Sequence, residues 1–317
     1  MSPYPSPLGV FSYDTVLLAL VGVRPPDLKT KLREPVVSYD AAGGRTVKGW
    51  LGPAWVLTNP VGLFVRVSLP RYLFDTNAQP LPPRYVLDVV DRVGRDLGLT
   101  AQVVRAARVY RADVCVNLAT RHTPDRYVDG LLDVPRMQRL PFGDGCTFVN
   151  SRRQLAFYDK VREIKSKSGH VPDGLSGAHV LRYEHRLKRN LAAQMGGPVY
   201  AEDLAAPRVF GSFVRQAVAR FATVQVRRSV VVPPITGPSA VREWLEAVGL
   251  ETVGLPNVIA AIDADRASGR VDSVSASRAR ARARATARSP PTTATDDLMR
   301  ELTLSIRGAA KRTLAAL

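Results

Sequence analysis

Residues 180–188 read Val180-Leu181-Arg182-Tyr183-Glu184-His185-Arg186-Leu187-Lys188, a strand-like stretch with charges where a sheet should be apolar. In a strand, residues i and i+2 share a face, so Arg182 and Glu184 stand together on one side. Two further stretches repeat the pattern. Arg111-Ala112-Asp113 opens an expected strand Arg111–Leu118 and pairs Arg111 with Asp113. Tyr158-Asp159-Lys160 closes an expected strand Gln154–Lys160 and places Tyr158 with Lys160. A charge inside a sheet is costly unless it is paired or used. An antiparallel sheet that brought the three strands together would gather two acids, a tyrosine and several cations on one face.

The surrounding pattern predicts such a sheet. Thr15–Val23, Thr46–Leu51, Ala54–Thr58 and Leu63–Ser68 read as short strands separated by Gly43-Gly44, Gly52-Pro53 and Asn59-Pro60. A helix follows at Tyr85–Leu97, with Val86, Val89, Val90, Val93 and Leu97 as its apolar stripe and Gly98 as its C-cap. Thr123 and Pro124 start a helix to Leu132, and Cys146–Asn150 forms a hairpin with Gln154–Lys160. Lys165–Gly177 reads as a polar loop. From Phe210 to Phe221 the apolar spacing turns helical, and Ser239–Val248 and Pro256–Ala267 are two short helices. The expected fold class is α+β: an antiparallel sheet with helices packed on one face, plus a small helical C-terminal region. The expected divisions are 1–230 as the main domain, 231–272 as a helical extension, 273–295 as a flexible basic linker of alternating arginine and alanine, and 296–317 as an amphipathic last helix.

The chain has 317 residues, is 45% hydrophobic and carries a net charge of +17. That length and apolar content support a sizeable core, and an excess of positive charge this large points to a polyanionic partner, nucleic acid above all. The two cysteines, Cys115 and Cys146, are too few for a disulfide framework or a structural zinc site, and His122, His170, His179 and His185 lack zinc-like spacing. No segment reaches transmembrane length. A cytoplasmic protein without membrane contact is expected.

Converged on one face, Asp113 and Glu184 would offer hard oxygen ligands suited to Mg²⁺ or Mn²⁺, with Asp159 joining only if a bulge re-aims it. Tyr158 would be a nucleophile toward phosphorus. A free phenol has a pKa of roughly 10, so Lys160 or the metal would have to stabilise its phenolate. Arg111 and Arg182 would clamp phosphate or orient the acids. Each motif alone also fits a surface salt bridge on the wet face of a sheet, and Tyr158 alone fits a packing tyrosine.

Taken together, in the order Tyr110-Arg111-Ala112-Asp113-Val114-Cys115-Val116, Thr147–Arg152, Leu155-Ala156-Phe157-Tyr158-Asp159-Lys160 and Val180–Lys188, the motifs resemble the filamentous phage gene II/gene X replication initiators and, more distantly, the rolling-circle initiators of small plasmids. The resemblance covers about Val65–Gly197. It implies a site-specific nicking and joining endonuclease in which Tyr158 is the nucleophile, Lys160, Arg111 and Arg182 assist, and Asp113, Glu184 and Asp159 stand at acidic metal positions. Arg152, Arg153, Arg186 and Lys188 are the candidate DNA contacts. The implied partners are origin DNA with single-stranded or hairpin character at the nick, a host helicase and the replication machinery. A non-catalytic basic DNA-binding protein explains the charge equally well, but not the order of Asp113, Tyr158 and Glu184. A tyrosine recombinase would need a helical, metal-free site rich in Arg and His, which the strand setting of Tyr158 opposes.

Overall fold

The computed structural model describes residues 6, 8–25, 27–168, 171–230, 237–288, 293–295 and 297–317. The strands, in chain order, are β1 (Phe11–Val21), β2 (Arg33–Tyr39), β3 (Arg45–Leu51), β4 (Ala54–Asn59), β5 (Gly62–Ser68), β6 (Arg108–Thr120), β7 (Leu131–Asp133), β8 (Gln138–Phe142), β9 (Gly145–Val149), β10 (Arg153–Asp159), β11 (His179–Leu187), β12 (Gln225–Val226), β13 (Arg228–Val230) and β14 (Thr293–Thr295). The helices are α1 (Leu28–Lys31), α2 (Leu69–Phe74), α3 (Val86–Leu97), α4 (Ala101–Arg105), α5 (Pro124–Val128), α6 (Lys160–Ser168), α7 (Leu191–Met195), α8 (Pro207–Phe221), α9 (Pro238–Val253), α10 (Leu255–Ala267), α11 (Ser273–Arg288) and α12 (Asp297–Ala315). The chain is α+β.

One ten-stranded sheet organises the fold, in the order β2-β3-β4-β5-β1-β6-β11-β10-β9-β8. Every pairing in it is antiparallel. The three charged strands are β6, β11 and β10, and they lie side by side. Arg182 stands opposite Asn117 on one neighbour and Tyr158 on the other, and Arg186 stands opposite Asp113.

The alternate residues of these strands face an apolar layer. Phe157 stacks on Tyr183 with ring centroids 4.8 Å apart, and Phe221 of α8 tilts against both rings. The Tyr183 hydroxyl donates to the Ala217 carbonyl at 2.8 Å, so α8 is tied to the sheet by hydrogen bonding as well as by apolar area. Phe148 and Tyr183 are both fully buried in this layer. His185 is in the same layer, faces away from Glu184, and is pushed by burial to about 3, with Arg153 and Arg220 adding to the shift. It is therefore a neutral core residue. His170 lies outside the described residues.

Chain contacts divide the protein into two compact units, Met1–Val226 with Leu298–Leu317, and Arg227–Asp297. In the first, α12 buries Met299, Leu302, Ile306, Ala309 and Ala310. Thr313 of α12 accepts the Phe11 backbone N–H at 2.8 Å, and Tyr127 donates to Glu301 at 2.9 Å. The second unit holds α9, α10 and α11 together with the β13–β14 pair. Ser273–Arg288, expected as a flexible linker, is helix α11. The expectation of a linker used the missing apolar period; the helix depends on other terms. Alanine and arginine are among the strongest helix formers. Asp272 caps the start, accepting the Val274 and Ser275 N–H groups at 2.8 Å each. Arg280 and Arg282 are held by Asp263 and Glu246 of the neighbouring helices.

Among the described residues no single helix is long and apolar enough to cross a membrane. Together α9 and α10 reach that length, but only across a 99° bend.

Candidate active site

The polar face of β6, β11 and β10 is a buried ionic network centred on Arg182 and Glu184, each 1% exposed. Arg182 spends its whole guanidinium on neighbours. Its Nε donates to Glu184 Oε1 at 2.7 Å, and its Nη1 to the Asn77 carbonyl at 2.8 Å and Asn117 Oδ1 at 3.3 Å. Its Nη2 lies 3.0 Å from Asp14 Oδ2. Glu184 Oε2 receives Arg186 Nε at 2.7 Å and Nη2 at 2.5 Å, while Oε1 also accepts the Tyr158 hydroxyl at 2.5 Å. On β6, Arg111 grips Asp113 in a fork, Nε to Oδ1 at 2.9 Å and Nη2 to Oδ2 at 2.6 Å.

The protonation states follow from this geometry. Burial alone would raise the Glu184 carboxyl, but the Arg182 and Arg186 guanidiniums outweigh it and hold the group well below the usual carboxylate range. Burial pushes the Tyr158 phenol well up, the Glu184 charge pushes the same way, and Arg182 opposes both. The resting pair is therefore a neutral phenol donating to a carboxylate. Burial also pushes Asp113 up to about 6 against the pull of Arg111.

At the end of β10 the strand stops at Asp159, one residue before the expected end, and Lys160 is the first residue of α6. Its side chain still reaches the network of Arg182, Asp14 and Asn77 on the Tyr158 side of the sheet. Lys160 is fully buried and donates to Asn77 Oδ1 and Glu163 Oε2, both at 2.7 Å. Burial, with the nearby Arg182 charge, lowers it to about 8, Glu163 opposing. Its ammonium holds Asn77, whose carbonyl in turn holds Arg182, so Lys160 is a positioning residue beneath the site. Asp159 is not re-aimed by a bulge, since the β10–β11 register is regular. Its Oδ1 accepts the Arg162 backbone N–H at 2.9 Å, the role of a helix N-cap. Asp159→Ala is expected to lower the unfolding free energy by about 1 kcal/mol, measured by urea denaturation. A loss under about 0.3 kcal/mol would remove the capping role.

A divalent cation would make specific demands on these donors. Magnesium and manganese take oxygen ligands, magnesium in near-ideal octahedral geometry. Here all four oxygens of Asp113 and Glu184 already accept from guanidinium groups. Among the described residues no group of three His, Cys, Asp or Glu side chains is arranged to hold a metal. In this arrangement the acids suit arginine rather than Mg²⁺ or Mn²⁺.

The candidate DNA contacts divide. Arg186 and Tyr158 line two clefts, one of about 530 Å³ bordered by Phe142, Thr147 and Arg162, the other of about 250 Å³ bordered by Asp14, Arg66, Arg71 and Asn77. Lys188 lies within the field of Arg111 and Arg186, which, after burial, lower its pKa. Arg152 is exposed in the β9–β10 turn. Arg153 has the opposite strand parity to Tyr158, and its Nε donates to Gln194 of α7, so it is away from the clefts.

Sequence reasoning missed Asp14, Asn77 and Glu163. Asp14 sits where the β1–β6 register shifts, between Tyr13 and Val16, and this irregularity coincides with an acid inside an otherwise apolar strand. Glu163 was signalled by its i,i+3 spacing from Lys160. Asn77 lies between elements and carried no local signal. Comparison with known proteins finds no family model and no curated protein that matches the chain.

Proposed function

We propose that the chain nicks and rejoins one DNA strand by transesterification at Tyr158, in the manner of a rolling-circle replication initiator. The observation that carries this reading is the 2.5 Å hydrogen bond from the Tyr158 hydroxyl to Glu184, flanked by Arg182 and Arg186 and facing two clefts. The order and spacing of the strand motifs support it independently.

At rest the site is held inactive. The phenol is hard to ionise, and Glu184 is too weak a base to take its proton while two guanidiniums hold it. A scissile phosphate entering either cleft offers Arg186 a second anion. As Arg186 turns to it, Glu184 loses part of its counter-charge, gains basicity and accepts the phenol proton. Tyr158 Oη then attacks phosphorus. The Oη–P bond forms, the P–O3′ bond breaks, and the proton on Glu184 passes to the departing 3′ oxygen. The products are a 5′-phosphotyrosine and a free 3′-hydroxyl. The phosphotyrosine ester keeps the energy of the broken bond, so a later 3′-hydroxyl reverses the step without ATP. The substrate class is origin DNA, single-stranded or hairpin at the nick. A helicase and replication machinery acting from the freed 3′ end follow from the resemblance, as does a bacterial cytoplasmic setting.

The test is covalent capture. The protein is incubated with a randomised single-stranded oligonucleotide pool in EDTA, in Mg²⁺ and in Mn²⁺, then denatured and digested. Mass spectrometry is expected to find DNA linked through its 5′ phosphate to the peptide containing Tyr158. Linkage at another residue overturns the assignment. Binding without linkage in any of the three conditions favours a non-catalytic DNA-binding protein instead.

A further inference from the structure

We propose that helix α11 is a duplex-DNA-binding element that lies in the major groove. The inference does not rest on the chemistry at Tyr158, because α11 belongs to the other compact unit. It carries Arg278, Arg280, Arg282, Arg284 and Arg288 and no acidic residue. The arginines have two fates. Arg280 reaches Asp263 of α10 at 2.5 Å, and Arg282 forms a fork with Glu246 of α9 at 2.8 and 2.9 Å. These two pairs fix the rotation of the helix about its own axis. Ala276 is buried and Ala279 and Ala283 are half-buried on the inward side. That leaves Arg278, Arg284 and Arg288 exposed, and among the described residues none of the three has an ion-pair partner.

The exposed surface also says what kind of polyanion fits. Between the free arginines stand Ser277, Ala281, Ala285 and Ala287, so the helix is slim there and its backbone can approach a partner closely. Arg278 to Arg288 spans about 15 Å at 1.5 Å per residue, and the B-form major groove, about 12 Å wide, admits an α-helix. Long cations on such a helix reach phosphates on both groove walls. A lipid surface would instead demand large apolar side chains opposite the buried stripe, and α11 presents alanine and serine. The narrow, deep major groove of A-form RNA excludes a helix.

The experiment uses the full chain. R278Q/R284Q/R288Q is compared with wild type and with an equal-charge control, K29Q/R45Q/K48Q, whose residues are exposed on the first unit. Binding to a duplex and to a single strand of the same sequence, about 30 nucleotides long, is titrated between about 50 and 200 mM salt. Each lost phosphate contact removes about 0.9 from the slope of log K against log salt. The expected result is a slope shallower by about 2 to 3 for the α11 variant on duplex. Circular dichroism should be unchanged, and the control should shift far less. An unchanged slope overturns the proposal, as does an equal fall in the control or an equal loss on the single strand. A loss of binding to anionic phosphatidylserine vesicles in place of duplex overturns it as well. Covalent capture of single-stranded DNA by this variant should match wild type, which separates failure here from failure at Tyr158.

Discussion

Tyr158→Phe is expected to abolish the covalent protein–DNA species that the proposed transesterification would form and to reduce strand nicking to background, with the fold intact. The substitution removes one hydroxyl and keeps the ring. Glu184 Oε1 retains its bond to Arg182 Nε, and Oε2 retains both bonds to Arg186. No buried acceptor is left bare, so the stability change should be about 1 kcal/mol or less, readable in a urea titration beside the nicking assay. Glu184→Gln should give the complementary result. An amide can still accept from Tyr158 but cannot take its proton, and general-base loss is worth roughly 10²- to 10⁴-fold in rate. That variant also leaves Arg182 and Arg186 short of an anion, so it loses stability where Tyr158→Phe does not. The pair of variants therefore dissociates chemistry from folding. Nicking that persists at wild-type rate in Tyr158→Phe would end the nucleophile assignment whatever Glu184→Gln did.

The core of this network was legible in the sequence because a period of two puts paired charges on the same face of a strand. Arg111 with Asp113 and Arg182 with Glu184 each fall on one face, and the sheet order sets those faces beside Tyr158. What it hid has physical causes. The edge strands β2 and β8 are largely exposed, so neither shows the apolar alternation that marks a strand. The start of α6 was hidden because Asp159 is at once the last strand residue and the cap of that helix, and a cap looks like any other polar residue in a strand pattern. The helix α11 was hidden for the opposite reason. Propensity, the Asp272 cap and two interhelical ion pairs hold it, none of which produces an apolar stripe. Asp14 and Asn77 enter the network only through tertiary placement against Arg182, from positions 168 and 105 residues away in the chain (182 − 14 and 182 − 77).

Arg182→Met should destabilise the fold strongly. The arginine is 1% exposed and serves two buried acids, Asp14 and Glu184, together with the Asn77 carbonyl and Asn117. Removing one partner from a buried ionic network leaves uncompensated charge, a loss of about 3–5 kcal/mol, against a typical domain stability of about 5–15 kcal/mol. The loss should also depend on pH. In wild type the folded Glu184 carboxyl lies below its unfolded value, so its contribution is fully present above the unfolded value and is lost as pH falls through the folded one. Without Arg182 one of the two charges that lower the folded Glu184 value is gone and that value moves up, so the folded variant binds a proton at higher pH than folded wild type does. The difference in unfolding free energy between wild type and Arg182→Met should therefore shrink as pH falls from neutral toward the carboxylate range. Adding Glu184→Gln to Arg182→Met removes one stranded charge and should recover part of the loss at neutral pH. Arg182→Lys keeps the charge but loses the fork, and should fall between wild type and the methionine variant. A deficit near zero, or one that stays constant between neutral and mildly acidic pH, would show that Arg182 does not hold Glu184 ionised, and the resting state in which Glu184 waits for Arg186 to release it would fall with it.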